Sequence, residues 1–283
     1  MPGTFRHFLD AIKFEHTVFA LPFAYVAMVL AADGWPGWRV LIWVTLAMAG
    51  ARTLAMSVNR LADRSLDALN PRTAARHLPV GLLRPGHLLT ASGASGALLL
   101  FSAWMLNPLC LLLSPLAVLF LVGYSYTKRF TWLTHWILGF TDGIAAAGGW
   151  IAVRGVFDPP AYVLWGALTV WIAGFDLIYA CQDVEFDRRE GLHSVPARFG
   201  VAAALHAAKA CHVLTVLAFG VLGWMMGLGV LYWLGVLIVA GLLVYEHSLV
   251  SPRDLSRLDV AFFNVNGYIA VILFLAVLAG RWA

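Results

Sequence analysis

Charged residues are scarce in this chain. Asp, Glu, Lys and Arg make up 12% of its 283 residues against 61% hydrophobic ones, and the mean hydropathy is +0.81. Such a composition excludes a soluble domain, because so few polar groups cannot cover a water-facing surface of this size. Cysteine is nearly absent. Cys110, Cys181 and Cys211 each lie in an apolar stretch without metal-ligand spacing, which excludes a disulfide framework and leaves them as packing residues. The histidines, among them His16, His77 and His193, show no paired spacing and read as packing or surface residues. There is no glycine-rich phosphate loop and no Ser-His-Asp order. No small-residue cleavage site follows the first apolar run, so the amino terminus is expected to remain as mature sequence.

What the chain has in quantity is long apolar runs. Nine are expected to span a bilayer, near residues 14–32, 38–58, 90–106, 109–126, 135–153, 161–181, 203–223, 228–246 and 260–280. Crossing ~30 Å of hydrocarbon takes ~20 mostly apolar residues, and backbone groups in lipid must be paired within the span. The fold class is therefore all-α, a polytopic membrane protein with the lipid bilayer as its first partner, and residues 1–283 read as one domain.

The cations set an orientation. Arg6, Lys13, the Arg60 to Arg84 connection, Lys128, Arg129, the Arg188 to Arg198 connection, Arg253 and Arg257 make fourteen on one side, against Arg39, Arg154 and Arg281 on the other. Because cationic loops stay inside, the amino terminus is expected in the cytoplasm. This bias also explains the net charge of +4, and no nucleic acid is implied as a partner. Arg52 and Lys209 are left within spans.

Acids concentrate in two connections on the cationic side: Asp63 and Asp67 in one, Asp183, Glu185, Asp187 and Glu190 in the other, six of fifteen. In the first, Asn59, Asp63 and Asp67 recur every four residues and share a helical face. In the second, Asp176, Tyr179, Asp183 and Asp187 are offset by 0, 3, 7 and 11 and also share a face. Each segment then runs through basic residues to a proline, Pro79 or Pro196, as a weak internal duplication would. Acids at helix ends can simply meet water, but a stripe of carboxylates repels itself unless a cation neutralises it, and oxygen ligands suit Mg²⁺. Asp176 lies deeper, where an ionisable group is expensive and points to function.

Cations accompany the acids. Arg72, Arg76 and Arg84 follow the first stripe, and Tyr124-Ser125-Tyr126-Thr127-Lys128-Arg129 lies between the stripes in sequence. A departing diphosphate needs metal and Arg or Lys donors where its charge develops. Arg84, Arg129 and Arg198 are better explained by topology. Arg52 sits seven residues before Asn59, inside an apolar span, where its guanidinium needs an anionic or carbonyl partner or pairs structurally with Asp142 or Asp176. Buried acids also mark transporters, but here the metal-type acids gather toward one membrane face.

The combination N-R-x-x-D-x-x-x-D, Y-x-Y-T-K-R and D-x-x-Y-x-x-Q-D-x-x-x-D resembles the UbiA-type intramembrane aromatic prenyltransferases. Asn70-Pro71-Arg72-Thr73 and Ser194-Val195-Pro196-Ala197-Arg198-Phe199-Gly200 support it. The resemblance implies nine helices in a ring around a central cavity, in a bacterial inner or plasma membrane, with the active site facing the cytoplasm. It implies Asn59, Asp63, Asp67, Asp183 and Asp187 as Mg²⁺ ligands, and Arg76 and Lys128 on a polyprenyl diphosphate, with Arg72, Tyr124 and Tyr179 also on the substrate side. Arg52 and Asp176 match residues near an aromatic acid acceptor. Arg60 stands where many relatives have Asp. Lys13-Phe14-Glu15-His16-Thr17, Phe19-Ala20-Leu21-Pro22 and Phe262-Phe263-Asn264-Val265-Asn266-Gly267 are similar to the branch acting on 4-hydroxybenzoate for quinone synthesis, some members of which use a dihydroxynaphthoate in menaquinone synthesis.

Overall fold

In a computed structural model the chain is all-helical; it describes residues 2–13 and 15–282, and of residues 2–5, 15–20, 263 and 282 the backbone only. The helices in chain order are α1 (Pro2–Ala11), α2 (Glu15–Ala32), α3 (Trp38–Ala62), α4 (Arg64–Leu69), α5 (Pro85–Leu106), α6 (Pro108–Thr127) and α7 (Thr134–Arg154). Then follow α8 (Pro159–Ala180), α9 (Val184–Arg189), α10 (Val195–Phe199), α11 (Val201–Met226), α12 (Val230–Ser248) and α13 (Asn266–Trp282). Proline opens α5, α6 and α8, where its missing N–H would have had no partner in the helix anyway.

Eight helical segments among the described residues are long and apolar enough to cross a membrane. The ninth expected span, 14–32, coincides with α2, whose apolar described part is the shorter Leu21–Ala32. Phe14 and the side chains of Glu15, His16, Thr17 and Phe19 lie outside the described residues, as does that of Phe263. The outward faces are greasy, with Leu112, Leu237 and Trp224 between 68% and 79% exposed, which inverts the soluble pattern and matches a lipid solvent.

The chain forms two compact units, Met1–Leu21 with Trp38–Tyr126, and Pro22–Gly37 with Thr127–Ala283. In the first, α3 and α5 pack closely because Gly50 has no side chain: a Cβ there would lie 2.8 Å from the Ser95 carbonyl oxygen. Leu54, Ala55, Leu99 and Leu121 form its small core. In the second, Gly139 of α7 meets the Thr169 carbonyl of α8 in the same way. Its larger core, including Leu168, Leu177, Phe219 and Tyr232, holds α8 as a central helix.

Candidate active site

In the first unit, α3 ends at Ala62 and the six-residue α4 begins at Arg64, with Asp63 at the junction (φ −93°, ψ 4°). The backbone bonds Asp63 N to Asn59 O at 2.9 Å and Asp67 N to Asp63 O at 2.7 Å carry the helical register through this break, so Asn59, Asp63 and Asp67 keep their common face. Asn59 Nδ2 donates to Asp63 Oδ2 at 3.3 Å, which leaves the amide oxygen as an acceptor. Asp67 accepts from Arg76 at 2.7 Å and Thr73 Oγ1 bonds the Asp67 carbonyl. Both carboxylates are buried, at 4% and 6% exposure.

Arg60, counted above among the cations of one side, has a buried partner in this unit. It lies in the last turn of α3, is buried, and donates from Nε to the Ala11 carbonyl at 3.0 Å, within electrostatic reach of Arg76, Asp67, Tyr124 and Asp63. Tyr124 itself packs against the Leu54 core. Arg72 is exposed, its backbone N–H bonded to Asn70 Oδ1. Burial, then the neighbouring His7, holds His77 below the ordinary histidine range. Arg52 is half-buried and its Nε, in the interior of α3, has no hydrogen-bond partner among the described residues.

In the second unit the expected stripe crosses a change of winding. α8 ends at Ala180, a 3₁₀ turn covers Cys181–Asp183, and the six-residue α9 starts at Val184. Three residues wound at three per turn advance the phase by about 60° more than an α-helix does, which puts Asp183 about 40° and Asp187 about 80° around the axis from Asp176. Asp183 sits at the junction with φ −103° and ψ 9°, close to the values at Asp63, and Asp187 is buried four residues on. The two acidic segments thus share one plan, as the weak duplication in sequence suggests.

The segment after α9 organises this site. Ser194 Oγ donates to Asp187 Oδ2 at 2.8 Å, and the His193 N–H bonds the Lys128 carbonyl at 2.6 Å, which brings Lys128 within electrostatic reach of Asp187. The Val195 N–H donates to His135 Nε2 at 3.2 Å. That nitrogen must therefore be the acceptor, so the proton is on Nδ1 and is donated to Asp176 Oδ2 at 2.6 Å. Tyr179 stacks on Phe262, ring centroids 4.1 Å apart, at the end of a row of rings running Phe23, Trp171, Phe175, Phe262. Phe262 stands in a π-helical turn, Val260–Val265, secured by Asn266 Nδ2 donating to its carbonyl at 3.1 Å.

Sequence reasoning missed His135, Ser194 and a buried polar network. Ser194 lay inside a quoted motif, whereas His135 is 41 residues from its partner and carried no local signal. In the network, Asn266 Nδ2 also donates to Glu246 Oε1 at 3.0 Å, and His212 and His247 meet at 3.0 Å, all within apolar helices. In each unit the side chains offer hard oxygen donors of the kind that suits Mg²⁺, at 59, 63 and 67 in one and at 183 and 187 in the other, and neither Asp63 nor Asp183 spends its side chain on capping its helix.

The chain matches the UbiA prenyltransferase family over residues 20–278. It is 33% identical over 263 residues to a 4-hydroxybenzoate octaprenyltransferase of Aliivibrio salmonicida, covering 89% of this chain and 88% of that protein. A similarly named protein of Herminiimonas arsenicoxydans is 31% identical, covering 85% and 84%. Among solved structures, a UbiA homologue from Aeropyrum pernix K1 superposes with a TM-score of 0.86 at 33% identity, over 94% of this chain and 98% of that one. A UbiA homologue from Archaeoglobus fulgidus bound to GPP and Mg²⁺ shares the fold, with a TM-score of 0.70 at 19% identity over 98% and 100% of the two chains. With the spans, the acidic segments and these likenesses together, the chain belongs to the UbiA prenyltransferase family.

Proposed function

We propose that this membrane prenyltransferase moves a polyprenyl chain from its diphosphate to 4-hydroxybenzoate in quinone biosynthesis, with both acidic segments required and both units acting as one domain. The observation that carries this reading is the repeated plan: a junction Asp followed four residues later by a buried, anchored Asp, at 63 and 67 and again at 183 and 187. The relatives named 4-hydroxybenzoate octaprenyltransferase support the acceptor, and the GPP and Mg²⁺ of the archaeal homologue support the donor and metal.

Asn59, Asp63 and Asp67 in the first unit and Asp183 and Asp187 in the second would hold Mg²⁺, which would supply positive charge for the diphosphate oxygens. Arg76, Lys128 and Arg72 donate to the same oxygens. Tyr124 and Tyr179 present ring faces toward the prenyl cation. Arg52 binds the acceptor carboxylate, the ring carbon ortho to the hydroxyl forms the new bond, and the ring proton passes to Asp176, held in orientation by His135. The amino terminus and the active site face the cytoplasm, in a bacterial inner or plasma membrane.

Purified enzyme should join geranyl diphosphate to 4-hydroxybenzoate when that acid and a dihydroxynaphthoate are offered together, and EDTA should stop it. Product on the naphthoate alone would move the protein to menaquinone synthesis, and product in EDTA would remove the metal role. For orientation, a cysteine at Val80 should be shielded from an impermeant thiol reagent outside intact cells and one at Val156 labelled; the reverse pattern would overturn it.

A further inference from the structure

We propose that His7, Asp10 and His77 form a binding site for one divalent transition-metal ion, of the zinc or cobalt type, separate from the aspartate segments. One ligand atom from each residue lies within 4.8 Å of the other two, the one such group of His, Cys, Asp or Glu among the described residues. The sequence makes this possible in two steps. His7 and Asp10 are three apart on α1 and so share a face, the spacing by which helices present paired ligands. His77 comes from the turn that follows Arg76, and the His7 and His77 rings lie 5.3 Å apart.

The donor chemistry selects the ion. Two imidazole nitrogens and one carboxylate suit zinc, cobalt, nickel or ferrous iron with water in the remaining positions, and not magnesium, which prefers oxygen throughout. Ligand atoms around tetrahedral zinc are about 3.3 Å apart at bonds of ~2.0 Å, so modest side-chain rotation closes the group. Lys13 and Arg60 bear on His77 and oppose a dication, which points to moderate affinity.

An ion here would fasten α1 to the segment that carries Arg76, whose guanidinium holds Asp67. The same helix is tied to Arg60 through the carbonyl of Ala11, next to Asp10. The site is therefore a clasp on the amino-terminal helix, and it does not depend on which substrate the enzyme uses.

The test uses full-length protein without a histidine tag, in detergent with excess Mg²⁺, titrated with Co²⁺ and read by its visible absorption. One Co²⁺ per chain is expected with an imidazole-type spectrum, and Zn²⁺ at a hundredfold its Kd should raise the melting midpoint by about 5 °C. His7→Ala, His77→Ala and Asp10→Asn should each weaken binding at least about tenfold. The spectrum should persist in Asp63→Asn and in Asp183→Asn. Binding that survives both histidine substitutions, or that disappears with Asp63→Asn or Asp183→Asn, would overturn the site.

Discussion

In the first unit Asp67 is anchored by a guanidinium, from Arg76 at 2.7 Å; in the second Asp187 is anchored by a hydroxyl, from Ser194 at 2.8 Å, with Lys128 farther off. The backbone plan is otherwise alike, an Asp at the helix junction and another four residues on. The difference separates two requirements. On the proposed function the junction carboxylates supply charge to the chemistry, whereas an anchor has only to hold its carboxylate in place, and a cation or a neutral donor can do so.

The most severe break in this comparison would come from the junctions. Asp63→Asn and Asp183→Asn should each lower kcat by at least about a hundredfold while prenyl diphosphate affinity changes little, because the lost charge acts mainly in the transition state. Single-turnover assays with labelled geranyl diphosphate, beside equilibrium binding, would separate the two effects. If only one substitution were harmful, the two segments would not be functional equivalents.

The acceptor end gives the next largest effect. Arg52→Lys keeps charge but loses the planar fork, so the 4-hydroxybenzoate KM should rise about ten- to a hundredfold with the diphosphate KM unchanged. An unchanged acceptor KM with impaired folding would make Arg52 a structural ion-pair partner instead.

The anchors sharpen the comparison directly. Arg76→Ala removes a charge-assisted bond of ~1.5–3 kcal/mol and should lower kcat/KM by about ten- to a hundredfold. Ser194→Ala removes a neutral donor of ~1 kcal/mol and should lower it about fivefold. Equal losses would mean that Ser194 does more than hold Asp187, for instance by keeping Val195 on His135.

Hydropathy made most spans legible, since the apolar runs and the helices agree within a few residues. The run 90–106 falls five residues short of the helix start at Pro85, because a histidine and polar residues open that helix. The common face of Asn59, Asp63 and Asp67 was legible from spacing alone. The break at Cys181 was not, because neither proline nor glycine marks it; the segment beyond it is held by long-range bonds from residues 193–195 to Asp187, Lys128 and His135. The buried partner of Arg60 was not legible either, since Ala11 is 49 residues away.

The π-helical turn at Val260–Val265 has a consequence for how this chain can change length over generations. Such a turn is an α-helix that has accepted one extra residue, so a single-codon deletion within it is tolerated by the backbone, which relaxes to regular winding. The flanking segments would keep their phase, because the turn absorbs its extra residue locally, while the residues of the turn itself would be displaced. Phe262 would then swing off Tyr179, and the row of rings that reaches back to Phe23 would lose its last member. A reading-frame-preserving loss at this position should give a protein that still inserts and folds but prefers a different prenyl donor, a lineage change made by one missing residue.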